Sequence, residues 1–439
     1  MTNVSLLEPF DDSFDVAPGY LDWAAFGPLS PSVRAEMHAD AELLATGRRS
    51  GIELVEERVV EARERVARLL GAPVDEVVLQ PSTTQGLVHA MFGLEGTVVV
   101  PSQDFPAIRV SAHRAAAARG RLAVREIDPP DGIVTVDSIV TALTDDVTAV
   151  ALSAVDFRTG ALVDLAGIRD AIGDRVLIVD VMHAFGVVDV DWNLADVVAG
   201  NGYTWLRAGR GTSFARFSQR AQERIAPVLS GIVGDSSTPG IPASPATAAA
   251  YSIAPDDPLA ASRLATSLRE LENVGVAAVA AEVRARAQDV MVLADRHDVP
   301  VLTPRDAHAG IVTLVPVPHD AAALAAALAN HGVTVTARGA TIRVSVHVGT
   351  GVDTLAMLAD ALADAASRRV SSVVDVDRDD LSADLVLPEI VLIETAPEIA
   401  AGFPLHEDDY IEDLEADAED TTDDDIVIAI VDDTRTSEN

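Results

Sequence analysis

The chain has no cysteine and no lysine: the 32 cationic residues among its 439 are all arginine. Without cysteine there is no disulfide, no thiolate nucleophile and no Cys-ligated metal. Without lysine there is no P-loop lysine for a nucleotide phosphate, no lysine imine with a carbonyl compound and no lysine general base. Aromatic residues are scarce at 4%, although 49% of the chain is hydrophobic. Ala and Val carry most of that weight, as in α/β proteins whose sheets are covered by helices. Long apolar runs are missing as well. None approaches the roughly 18 residues of a membrane span, and the residues from Met1 to Glu8 have neither a basic flank nor an apolar signal core. A soluble cytoplasmic protein without membrane contact is the expectation. Positive charge is the last deficit: the net charge of −37 argues against nucleic acid and anionic lipid, because phosphate binding needs a basic footprint.

The acidity is uneven. Residues 371–439 hold 23 Asp and Glu against two Arg, Arg378 and Arg435, a balance of −21 that leaves −16 on the first 370 residues. Two apolar strips, Leu385–Ile393 and Ile426–Val431, interrupt the acids of this tail. The pattern suits a segment that docks on a partner protein, or a flexible solubilising tail. In the first 370 residues short β-rich runs alternate with amphipathic stretches, which predicts an α/β fold with a mostly parallel sheet covered on both faces. Thr97–Pro101, Val147–Ser153 and Val176–Asp180 read as buried strands, and Val55–Leu70 as a helix with Arg and Glu on its wet face. A Pro/Ser/Thr-rich connector at Ser236–Thr247 precedes a helical stretch over Pro258–Arg296. A smaller α/β unit follows, with strand Gly310–Val315, helix Asp320–Asn330, strands Val333–Ala337 and Ala340–His347, and helix Val352–Ser367. The expected division is an N-terminal segment at 1–19, a large domain at 20–270, a small domain at 271–369 and the acidic tail at 370–439.

Four local signals follow one another at intervals that suit one site. Gln80-Pro81-Ser82-Thr83-Thr84-Gln85-Gly86 places hydroxyls between a strand and a helix; a helix start with free N–H groups is an anion site, and equally an ordinary Ser/Thr cap. Val155-Asp156-Phe157-Arg158-Thr159-Gly160 ends a second strand. Leu177-Ile178-Val179-Asp180 is a buried strand ending in an acid, followed by Val181-Met182-His183-Ala184-Phe185-Gly186. Ligands of open α/β sheets bind beyond the carboxyl ends of the strands, so Asp180 points at a site, unless it only caps its loop. Gly200-Asn201-Gly202-Tyr203-Thr204-Trp205-Leu206 and the Gly-rich Ala208–Thr212 come last.

In this order the motifs resemble the class V aminotransferase family of pyridoxal-phosphate enzymes, fold type I, in its kynureninase-like and isopenicillin-epimerase-like branches. The likeness covers about residues 18–368. It opens on Tyr20-Leu21-Asp22 with Ala25 and Gly27-Pro28, and it ends on Ile342-Arg343-Val344-Ser345-Val346-His347. The resemblance implies a large sheet domain, a smaller α/β domain and a homodimer whose sites are completed across a two-fold interface. It also implies roles for single residues. Ser82, Thr83 and Thr84 would hold the cofactor phosphate, and Phe105 would stack on the pyridine, although a Phe there also suits the core. Asp180 would pair with the pyridine nitrogen, and His183 would lie beside the ring. Arg343 would receive a substrate carboxylate through its planar donor fork, unless it serves a surface ion pair.

The chain departs from the family at one decisive point. Where the family has the lysine that carries the cofactor and moves protons, this sequence has Thr204, between Tyr203 and Trp205. A threonine hydroxyl forms no imine and is a poor base at neutral pH. Two readings follow. One is a pseudoenzyme, a scaffold or regulatory homologue that keeps the fold and a phosphate or cofactor pocket. The other is a lysine-independent enzyme that holds pyridoxal phosphate or pyridoxamine phosphate noncovalently, acts on an amino acid and uses Tyr203 or His183 as base.

Overall fold

Alternate residues along each central strand enter different cores, and this builds the fold. Val98 and Val100, Ala149 and Ala151, Val176 and Ile178, Val197 and Ala199 join one apolar cluster. Val99, Val150 and Leu152, Leu177 and Val179, and Val198 join the other. Side chains of a strand alternate between its faces, so both faces of this sheet are covered, as the continuous apolar runs require. The computed structural model of the chain describes residues 7–232 and 243–374, without the side chains of His319 and of residues 368–374. Most of the connector at Ser236–Thr247 and both apolar strips of the tail lie outside the described residues. Contacts divide the chain between Val370 and Ser371.

Among the described residues there are ten strands: β1 (Val77–Gln80), β2 (Gly96–Pro101), β3 (Leu122–Ile127), β4 (Val147–Ser153), β5 (Val176–Asp180), β6 (Val197–Asn201), β7 (Ser213–Phe217), β8 (Ile311–Leu314), β9 (Thr336–Arg338) and β10 (Thr341–Ser345). The first seven form one sheet in the order β1-β7-β6-β5-β4-β2-β3. Strands β3, β2, β4, β5 and β6 are parallel to their neighbours, whereas β7 is antiparallel to both β6 and β1. Two reversals leave β1 pointing the same way as β6. The carboxyl ends of β1, β4, β5 and β6 therefore share one edge, where the register runs from Gln80 to Ser213 to Asn201 and from Ser153 to Asp180 to Ala199.

A second, antiparallel sheet has the order β8-β10-β9. The N-terminal segment joins it: Leu21 N–H donates to Thr334 O and Ser345 N–H to Leu21 O, which brings Asp22 beside β10. The helical stretch expected over Pro258–Arg296 is two helices, Pro258–Val274 and Val276–Arg296, broken at Gly275 with φ +89°. The last helix runs from Val352 to Val374, seven residues past its expected end at Ser367. Among the described residues no helix is long and apolar enough to cross a membrane.

Candidate functional site

The loops that leave the shared carboxyl edge bring three of the four sequence signals together. Asp180 ends β5, is 2% exposed, and its Oδ1 accepts the Met182 N–H at 2.8 Å. That bond turns the chain so that Met182 faces the loop after β6. Thr204 Oγ1 lies 3.2 Å from Met182 O and 3.1 Å from Asn201 Oδ1, and the Tyr203 hydroxyl lies 3.3 Å from Met182 Sδ. Asn201 Oδ1 also accepts the Tyr203 and Thr204 N–H groups. Asn201 thus shapes the turn that carries Thr204, a role its place in the motif did not disclose.

Thr204 is 1% exposed. Its hydroxyl has two acceptors within reach and one proton to give, so it is closed on the protein's own backbone and amide rather than presented to a ligand. Next to it, burial holds the His183 imidazole well below its ordinary range, with Arg343 and Arg338 adding to the effect. His183 is therefore neutral, and among the described residues neither ring nitrogen has a hydrogen-bond partner. The Phe105 ring stands edge-on to His183, with centroids 6.5 Å apart, and edge-on to Phe157 at 5.3 Å.

Phe105 is held from behind by a residue the sequence reading passed over. Asp104, buried, accepts the Phe105 N–H at 2.6 Å, the Ser153 N–H at 2.9 Å and the Ser153 hydroxyl at 2.5 Å. Ser153 is the register partner of Asp180. Burial pushes the Asp104 carboxyl up to about 6, against the pull of those three donors. The only available sequence signal was an acid directly before Phe105 at a strand end.

Ser82 caps the helix Thr83–Gly93, its Oγ accepting the Gln85 N–H at 3.2 Å. Thr84 is exposed, whereas Thr83 is 5% exposed and its hydroxyl has no partner among the described residues. A Cβ at Gly86 would meet Ala215 Cβ at 3.0 Å, so this helix lies flush on the sheet. Its free N-terminal N–H groups are thereby set beside the edge that carries Asn201. Arg343, on β10, is 8% exposed. It donates to Phe157 O and to Thr336 Oγ1, each at 3.3 Å, and faces Asp22 at 3.7 Å. Burial lowers its pKa, and Asp22 opposes that shift.

A helix start with a hydroxyl unpartnered among the described residues, a strand-end carboxylate, a neutral imidazole and an aromatic edge fit the recognition of a phosphorylated pyridine. The covalent attachment of such a group through lysine does not fit a chain without lysine.

Two cavities among the described residues lie elsewhere. One of about 380 Å³ is lined by Gln80, Gln85, Thr212, Asp256 and Leu264. Another, about 10 Å³ and close to the size of one water, lies between Trp205, Arg207, Glu270 and His347. Neither touches Asp180, His183 or Arg343.

Fold and site together define an α/β protein whose candidate site lies at the carboxyl edge of a mostly parallel sheet. The family profile described as aminotransferase class-V matches residues 19–383. The chain belongs to that family, which is pyridoxal-phosphate-dependent. Its relatives include a kynureninase of Deinococcus radiodurans, 33% identical over 180 residues that make up 39% of this chain and 42% of the relative. A cysteine desulfurase of Frankia sp. (strain EuIK1) is 32% identical over 192 residues, 40% of this chain and 46% of the relative. The chain spans less than half the length of the curated relatives it matches. Among solved structures, the apo cysteine desulfurase of Thermococcus onnurineus NA1 superposes with a TM-score of 0.72 at 20% identity, over 84% of this chain and all of the other. A C-DES mutant with glycine covalently linked to its PLP cofactor gives 0.72 at 17% identity, over 81% and 98%. At these identities the two structures show the fold.

Proposed function

We propose that this protein is a non-catalytic member of the class V aminotransferase family, a scaffold or regulatory homologue that keeps a noncovalent pocket for pyridoxal phosphate or pyridoxamine phosphate. The observation that carries the reading is Thr204. It occupies the position that the motif assigns to the family's lysine, and its hydroxyl is buried and closed on Met182 O and Asn201 Oδ1. No other side chain can take over that covalent role, because the chain has no lysine. When bound, the cofactor supplies an electron-withdrawing ring that stabilises negative charge on the carbon beside an amine. The chain's own residues would hold it: Thr83 and the helix N–H groups at the phosphate, Asp180 at the ring nitrogen, Phe105 and His183 at the ring. Arg343 would meet a carboxylate. Neutral, buried His183 and the Tyr203 hydroxyl orient and exclude water.

The test is an absorbance scan of the protein with added pyridoxal phosphate before and after borohydride, alongside the variant Thr204→Lys. The native chain is expected to give a shifted band that borohydride does not fix to the protein, without turnover of amino acids. T204K is expected to turn yellow and become reducible. A colourless T204K at excess cofactor sinks the assignment of this position, and amino-acid turnover by the native chain sinks the non-catalytic reading.

A further inference from the structure

The hairpin of β9 and β10 carries two arginines on one face. Thr336 is opposite Arg343 and Arg338 is opposite Thr341, and residues two apart on a strand share a face. The two cations are unequally satisfied. Arg343 is buried, donates only to neutral oxygens, and meets the Asp22 carboxylate at 3.7 Å while that carboxylate also takes the Thr336 hydroxyl at 2.8 Å. Its Nε has no partner among the described residues. Arg338 is exposed, with its guanidinium carbon 5.6 Å from the Phe157 ring centroid. It has no carboxylate among the described residues, in a chain whose net charge is −37. Both guanidinium groups act on His183, whose unpartnered ring lies edge-on to Phe105. Two cations with one carboxylate between them among the described residues, Asp22 at 3.7 Å from Arg343, a neutral imidazole and two aromatic rings thus converge on one place.

We infer that this place takes a flat organic anion with two acidic groups, one received by Arg343 and the other by Arg338. The inference deepens the proposed function, since it rests on reading this edge as a ligand site, and it adds the class of ligand. A guanidinium binds carboxylate oxygens in pairs through its planar fork. The edges and faces of Phe105 and Phe157 suit an aromatic body between the two acids. Neutral His183 can donate one hydrogen bond and accept another without adding charge.

Isothermal titration of the full chain with benzene-1,3-dicarboxylate and with benzoate tests it. The dicarboxylate is expected to bind roughly tenfold more tightly, as a second charge-assisted pair predicts. Arg338→Gln should bring it to about the benzoate affinity and leave benzoate itself unchanged, and Arg338→Glu should reverse the order. Arg338 is exposed, so these variants do not depend on the tolerance of a buried site. Equal affinity of the two probes in the native chain, equal weakening of both in R338Q, or binding of neither overturns the inference. Neither probe carries a phosphate or an aldehyde. A dicarboxylate preference beside a colourless T204K therefore retains this site while rejecting the lysine position, and the opposite pair of results does the reverse.

Discussion

At the scale of single residues, a buried histidine couples the protein's stability to acid. His89 is 2% exposed within the helix Thr83–Gly93, and neither ring nitrogen has a partner among the described residues. Burial lowers its pKa to about 4. The unfolded chain takes up a proton near the ordinary value of about 6.5 and the folded chain does not, so stability present above that value is lost as pH falls through it toward 4. His89→Leu removes the titration and two unpaired polar atoms. The variant should be more stable by about 1 kcal/mol at pH 7, and by about 3 kcal/mol at pH 5 once the linkage is added. Denaturant melts at the two pH values check this, and an equal difference at both would show that His89 is solvated. Thr204 shows the other side of the residue scale. The sequence established that no lysine could stand there, whereas the two acceptors that close its hydroxyl come from Met182 and Asn201, and residue type alone does not disclose such a pairing.

At the scale of elements, the strands were legible and the supports of the site were not. β2, β4 and β5 are runs of β-branched and aliphatic residues bounded by Gly, Pro or acid, so period and composition agree. The division between Val274 and Val276 escaped because both helices have the same apolar spacing, and a single Gly in a helical pattern is often tolerated. The supports are missed for another reason: they pair residues far apart in the chain. Arg207, buried and with φ +57°, donates to Ser13 O at 3.0 Å and Ser13 Oγ at 2.9 Å, and pairs with Glu270 at 3.1 Å. Its guanidinium carbon lies 3.8 Å from the centroid of the Phe14 ring, which in turn is 4.6 Å from the ring of His347. The N-terminal segment thereby clamps the loop that bears Thr204. Phe14→Ala opens the clamp and should cost about 2 kcal/mol, less than a fully buried Phe because Phe14 is half-buried. Burial, helped by the positive charge of Arg207, holds His347 down to about 3. Solvent entering F14A raises that value toward the unfolded one, so the stability gap between native chain and variant should narrow from pH 7 to pH 5. Melts at both values measure the gap, and a constant gap would mean that Phe14 does not shield His347.

At the scale of the whole molecule the charge distribution is the dominant fact. The last described helix ends at Val374, and residues 375–439 carry −21 of the net −37. Contacts separate the chain from Ser371 on from the unit that holds both sheets. Surplus charge of one sign opposes compaction through self-repulsion, and salt screens it over about 10 Å at 0.1 M ionic strength. A chain ending at Val374 keeps the helix Val352–Val374 whole, whereas a cut at Arg369 would remove its last turn. That shortened protein should fold, sediment in the same oligomeric state as the full chain, and melt within a few degrees of it at 0.5 M salt. At 10 mM salt, where screening is weak, the full chain should lose more stability than the shortened one, because it alone carries the extra −21. Thermal melts at the two ionic strengths, with sedimentation at micromolar protein, give the result. Equal salt dependence would place the tail's charge beyond electrostatic reach of the body, as for a solubilising tail. Aggregation or a changed oligomeric state on truncation would make the tail part of the fold, and the compositional break near residue 370 would then mark no structural boundary.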